Sequence, residues 1–208
     1  MHEQRFFNEV HTPFIDFLRR SSENVCIDIN YSDVVSLAKQ ASLAAYHFHE
    51  AVNRENGVTS VPAMSKQCAE VFRQQLSDVV DTAKHGVLRD KDRQIILKGS
   101  LAFEFNEDDK FRFIRTEIFA KNTRFGEFVL NDTLLNYFIA LGNEHRVNLS
   151  TEVQLPKYNF KDQIEIFVTP KSGIDVKNIN LKTYQRNSYA QLTLADPPNG
   201  FEFVILQT

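Results

Sequence analysis

The chain lacks the residues that most often announce a function. It has no tryptophan, two cysteines and only 7 glycines and 6 prolines in 208 residues. Cys26 and Cys68 are far apart and form no CxxC pair, which excludes a zinc ribbon and gives no disulfide framework. The scarcity of glycine and proline argues against long flexible linkers. No run approaches the ~20 apolar residues of a membrane span. The opening "MHEQRFFNEVHTPF" carries charge throughout and reads as no signal peptide. These absences point to a reducing, cytoplasmic setting and to no membrane partner.

Charge is equally uninformative. The net charge is -3, and residues 1–92 hold 10 Lys/Arg against 13 Asp/Glu. Residues 93–208 hold 14 of each, so neither half is a basic body and no duplex-DNA surface is expected. What is abundant is phenylalanine, 18 in all. The signatures GxGxxG, GxxxxGK[ST], HExxH and GxSxG are absent, and the sequence implies no cofactor.

Periodicity gives the architecture. Val34, Leu37, Ala38, Ala41, Ala45, Phe48 and Val52 fall at three- and four-residue steps, predicting a helix from Ser32 or Asp33 to about Arg54. A second helix is predicted from about Pro62, with Met64, Cys68, Val71, Phe72, Leu76, Val79, Val80 and Ala83 as its stripe. Lys84-His85-Gly86 reads as its stop: two last-turn cations, then a residue suited to a left-handed backbone. "QIILKGSLAFEF" and "KFRFIRTEIFAK" flank Asn106–Asp109 as a β-hairpin, and the alternation slips near Phe113–Ile114 as at a bulge. "EFVLND" suggests a further strand.

A third helix is predicted over about 132–144, capped by Asn131 or Asp132, with Leu134, Leu135, Phe138 and Leu141 inward. Candidate strands then follow at 163–169, 177–184, 189–195 and 201–207, divided by turn signals at Lys171–Gly173 and Pro197–Gly200. In the first thirty residues, "HTPFIDFLRRSS" suggests a short helix and "NVCIDINYS" a short strand. The reading is α+β: a helical hairpin with a β-hairpin and third helix over 1–146, then an antiparallel β extension over 147–208, either as two domains or as one continuous domain.

Two clusters could carry chemistry. His47 and Glu50 share one helix face, and Asp78, Asp81 and His85 share another three or four residues apart. His47, Glu50, Asp81 and His85 are therefore the catalytic candidates. Antiparallel packing would set the two groups at different heights, and their order is not that of a helical di-iron site, so no metal is assigned. The second cluster is Lys110, Arg112, Arg115, Lys121 and Arg124, interleaved with Phe111, Phe113, Phe119 and Phe125. Single-stranded RNA binders combine such cations with exposed rings, whereas a half-buried strand points its rings inward and its charges to water.

"RFFNEVH", Arg5 to His11, has a spacing similar to the Arg/His motif of HEPN-type ribonucleases. The run "AAYHFHEAV", then "CAEVFRQQLSDVVDTAKHGVL", then a hairpin resembles uncharacterised bacterial proteins with a His-x-x-Glu helix and a Lys-His-ended helix, over residues 34–145. The first resemblance implies an RNA-cleaving activity and the second implies none.

The leading expectation is a non-enzymatic protein-binding or regulatory protein that self-associates as a homodimer, with "FEFVILQT" either buried or in a dimer contact. The alternative is a small HEPN-like ribonuclease or a metal-dependent enzyme using the His/carboxylate set. Whether the chain is an enzyme stays open on the sequence.

Overall fold

The computed structural model describes residues 2–58, 63–149, 153–169, 173–197 and 202–208. The fold is α+β, in two compact units interleaved along the chain. Unit 1 comprises residues 1–17, 35–97 and 118–153; unit 2 comprises 18–34, 98–117 and 154–208.

The first unit holds most of the helices. Helix α1 (His2–Phe6) runs through a π-turn (Phe7–His11) into α2 (Thr12–Ser21). Helix α3 (Ser32–Glu55) has the predicted length, and of its predicted stripe only Leu37 is less than fully buried. Helix α4 (Gln67–His85) stops as predicted, with Gly86 at φ 68° and its N–H donating to the Thr82 carbonyl at 2.9 Å.

The start of α4 differs from the expectation. Pro62 lies outside the described residues, and the helix begins five residues later. Its inward stripe is Ala69, Leu76, Val79 and Val80, so Cys68, expected in the core, is exposed.

Phenylalanine builds the core of this unit. The Phe6 ring meets Phe48 edge-on at 5.3 Å and Phe138 at 5.2 Å, and Phe14 stacks on Phe138 at 4.3 Å. Helix α5 (Leu130–Glu144) runs antiparallel to α4, joined by Thr133 Oγ1 to Gln75 at 3.0 Å and by Ser65 Oγ to Glu144 at 2.6 Å. It buries Tyr137 rather than the predicted Leu135. Neither predicted cap serves: the N-cap is Val129, while Asn131 Oδ1 accepts from the Ile118 N–H at 2.8 Å.

Lys66 at the N-cap of α4 offers no side-chain bond, and Glu70 steadies that end instead. Glu70 accepts from Arg73 at 2.6 and 2.7 Å, from Gln74 at 2.9 Å and from the Met64 N–H at 3.0 Å. Burial alone would raise its pKa, but these donors outweigh burial and bring it down to about 2. A depressed carboxyl stabilises the fold above the unfolded pKa, and that contribution is lost as pH falls toward 2. Allowing for solvent screening, wild type should lose about 1–2 kcal/mol between pH 5 and pH 2 that a Glu70→Gln variant does not. Melting curves followed by circular dichroism across that range check this; parallel curves would show that Glu70 contributes nothing.

The second unit is mostly sheet. The hairpin strands β2 (Ile96–Phe105) and β3 (Phe111–Asn122) flank the predicted acidic turn, which Asp109 closes at φ 57°. Burial alternation along β3 changes phase across Ile114–Arg115, close to the predicted slip. In unit 2 the strand order is β3-β2-β6-β7, with β6 at Leu181–Arg186 and β7 at Leu192–Leu194. The far half of β3, in unit 1, pairs antiparallel with β4 (Gly126–Val129). A separate sheet has the order β1-β5-β8, from Val25–Cys26, Ile164–Val168 and Phe203–Gln207.

The tail was expected to be antiparallel. Among the described residues, β6–β7 is, as is an isolated bridge between Phe111 and Lys161, whereas β1–β5, β5–β8 and β2–β6 are parallel. The strands on either side of each parallel pair are far apart in sequence, and a parallel pair requires such a long crossover. The predicted strand "NVCIDINYS" ends after Cys26. Ile27 and Ile29 are exposed, and Asp28 instead accepts from the Ser32 N–H and hydroxyl ahead of α3. The predicted turns at Lys171–Gly173 and Pro197–Gly200 lie largely outside the described residues.

Candidate functional site

The polar face of α4 carries Gln74, Ser77, Asp78, Asp81 and Lys84, spaced so that all lie along one side of the helix. Residues of α3, β3 and the neighbouring loops meet it at two places within unit 1.

The first place unites part of the sequence-predicted set. Glu50 lies one turn after His47 on α3, and His47 Nδ1 donates to Glu50 Oε2 at 2.9 Å. That bond leaves the lone pair on Nε2, which accepts from the Lys84 ammonium. Arg54 holds the other Glu50 oxygen at 2.6 Å. The Glu50 carboxyl sits below the usual carboxylate range, first through the His47 hydrogen bond and then through the Arg54 and Lys84 charges. Nearby, the Ser77 hydroxyl reaches the Tyr46 hydroxyl at 3.4 Å.

The second place is a clasp around Asp78, which is fully buried. Arg93 Nε donates to Asp78 at 2.6 Å, and its Nη2 reaches Asp81 and Ser77. Asn122 Nδ2 donates to the other Asp78 oxygen at 3.0 Å, and Arg124 stands 3.7 Å away while bonding Gln74 at 2.8 Å. Asp81 thus faces Arg93 rather than His47. His85 is exposed at the helix end and takes no part in these contacts. Lys84 and Arg93 carry no sequence signal for these contacts: a last-turn position suffices to explain Lys84, and Arg93 stands in a charged turn without a pattern.

The basic-aromatic run takes the arrangement of a half-buried strand over its first part. Phe111 and Phe113 are buried, and Phe119 and Phe125 are half-buried. Arg112 donates through Nε and Nη2 to one oxygen of buried Glu104, and Arg186 Nε donates to the other at 2.8 Å. Arg115 pairs with buried Glu117, which also accepts from the Tyr184 hydroxyl. Lys110 lies 3.5 Å from Asp162, Arg124 belongs to the Asp78 clasp, and Lys121 is exposed. Of the Arg5–His11 motif, Arg5 pairs with Glu9 and Glu55, and the His11 ring lies between Phe7 and Phe138.

Among the described residues, no three His, Cys, Asp or Glu side chains converge as metal ligands. No helix there is long and apolar enough to cross a membrane. Both cysteines are free, and burial pushes the Cys26 thiol up to about 11.

Among the described residues, the tail strand β8 forms one edge of its sheet. Its register with β5 sets Phe203 beside Ile164 and Ile205 beside Ile166, so each pair shares a face. Ile164 and Ile166 are fully buried, whereas Phe203 is 38% and Ile205 50% exposed. The apolar side of the sheet therefore continues from buried β5 to partly exposed β8. Comparison with protein-family models, curated proteins and solved structures gives no match.

Proposed function

We propose that the protein is a cytoplasmic, non-enzymatic binding or regulatory protein that self-associates through the β8 edge. The observation that carries this is the apolar face continuing onto an edge strand with exposed Phe203 and Ile205. An edge of this kind offers backbone donors and acceptors as well as apolar side chains to an added strand. The occupant is a second copy of the chain. The strand Phe-Val-Ile-Leu-Gln carries no charge, so two copies meeting antiparallel across a two-fold axis place no like charges opposite each other.

Each side chain is already partly buried, and covering the rest of it in both copies is worth about 1.5–3 kcal/mol. Placing a lysine at one should therefore weaken the dimer by about 10–100-fold. Wild type should run near twice the 24.0 kDa chain mass in sedimentation at high micromolar concentration, and Ile205→Lys near the single mass. A monomeric wild type would overturn self-association. A dimer unaffected by Ile205→Lys and by Phe203→Lys would place the contact elsewhere and overturn the role of β8.

A further inference from the structure

We infer that two copies of the chain join β8 to β8 in one register, with Ile205 on the two-fold axis, so that their β1-β5-β8 sheets merge into one. The inference rests on self-association through β8 and names how the second copy sits there. The direction of the backbone groups carries it. In a parallel pair, alternate residues of a strand turn both backbone groups toward the neighbour. The Glu202 carbonyl accepts from the Ile164 N–H at 2.9 Å, and the Thr208 N–H donates to the Val168 carbonyl at 3.2 Å. Glu202 and Thr208 therefore face β5, and by alternation so do Val204 and Leu206. The N–H and C=O of Ile205 and Gln207 point the other way, to the outer side of β8.

That alternation limits the register. In an antiparallel pair, opposite residues exchange both backbone bonds only when both face the seam. An axis between two residues would set each outward-facing residue against an inward-facing one, and no bond would form. The axis therefore passes through a residue. At Ile205, the middle of the strand Phe203–Gln207, every residue of the strand has an opposite in the second copy. Moving the axis one residue either way leaves residues at one end of the strand with no opposite. Ile205 then exchanges both bonds with Ile205 of the second copy.

The side chains agree with this register. Opposite residues share a face, so Ile205, 50% exposed in the single chain, packs against its copy and extends the face built on Ile164 and Ile166. On the other face Val204 stands opposite Leu206 of the second copy, in the closer kind of cross-strand pair. The seam is apolar on both faces. Glu202, which flanks the strand, falls opposite Thr208 and not opposite its own copy.

Two measurements test it, the first on the wild-type chain. In amide exchange followed by nuclear magnetic resonance, the Ile205 N–H should slow about fivefold between a concentration far below the dissociation constant and one ten times above it. The Leu206 N–H, facing β5, should be slow at both. The second is mild oxidation of single-cysteine variants in a Cys68→Ser background, Cys26 being buried. Ile205→Cys should cross-link to itself. Val204→Cys and Leu206→Cys should each stay single alone and cross-link when mixed, because opposite residues come within disulfide reach. Self-cross-linking of Val204→Cys or of Leu206→Cys would overturn the register while leaving β8 as the contact. So would an Ile205 amide that exchanges equally fast in monomer and dimer. A wild type that sediments as a monomer would overturn self-association itself and the register with it, so the two failures are read separately.

Discussion

Asp78→Ala should destabilise the protein by about 3–5 kcal/mol, more than any surface charge change in the chain. The carboxylate is fully buried and receives Arg93 at 2.6 Å and Asn122 at 3.0 Å, with Arg124 at 3.7 Å. Truncation would leave the Arg93 guanidinium and the Asn122 amide facing a cavity with fewer acceptors. The loss should also loosen the α4–β3 connection, because Asn122 lies at the end of β3. Urea denaturation measures the cost directly. Asp78→Asn is the sharper control: it keeps the volume and removes the charge, so a nearly equal loss would assign the effect to the ion pair rather than to packing. Arg93→Met alone should cost less, since Asp78 keeps the Asn122 bond, and the double variant should cost less than the sum of the two.

Asp78 also shows what was legible in the sequence. Its spacing sets it one turn from Asp81, and Arg93 bonds both, while His85 lies exposed at the helix end. Helical spacing says which residues point the same way, but not what they point at. The partners Arg93, Asn122 and Arg124 come from a loop and a hairpin at distances in sequence that no period encodes. The elements with strong local signals form where those signals lie: the stripe of α3, the glycine stop of α4 and the acidic hairpin turn. The α+β class followed from them. Strand direction in the tail did not, because alternation is the same in parallel and antiparallel pairs, and "FEFVILQT" looks alike in either. The candidate site was half legible. His47 and Glu50 were visible as a turn of one helix, while Lys84 had a sufficient explanation as a last-turn cation and so attracted no second role.

The other large effect is steric, at a position the sequence reading passed over. Gly99 lies in β2 directly against the Tyr31 side chain. A Cβ on Gly99 would stand 2.2 Å from Tyr31 Cδ2, 2.6 Å from Cγ and 2.7 Å from Cβ. Two of those three atoms lie at the root of the side chain, so no rotation of the ring tip relieves the clash. Nor can the root move easily. Tyr31 is fully buried, has φ 53° and bonds the Asn180 carbonyl at 3.3 Å through its hydroxyl. That carbonyl also accepts from the Leu101 N–H at 2.9 Å and from Ser100, while the Asn180 amide reaches back to the Gly99 carbonyl. Displacing the tyrosine therefore disturbs the β2–β6 edge as well as the ring packing. Gly99→Ala should cost at least about 3 kcal/mol, the upper part of the usual overpacking range. A double-mutant cycle identifies the cause. Tyr31→Ala alone should cost about 3–5 kcal/mol as a large-to-small core change, but in the Gly99→Ala background it should cost markedly less, because it removes the clash along with the ring. Additive losses in urea denaturation would show that the glycine is needed for its backbone and not for the room it leaves to Tyr31.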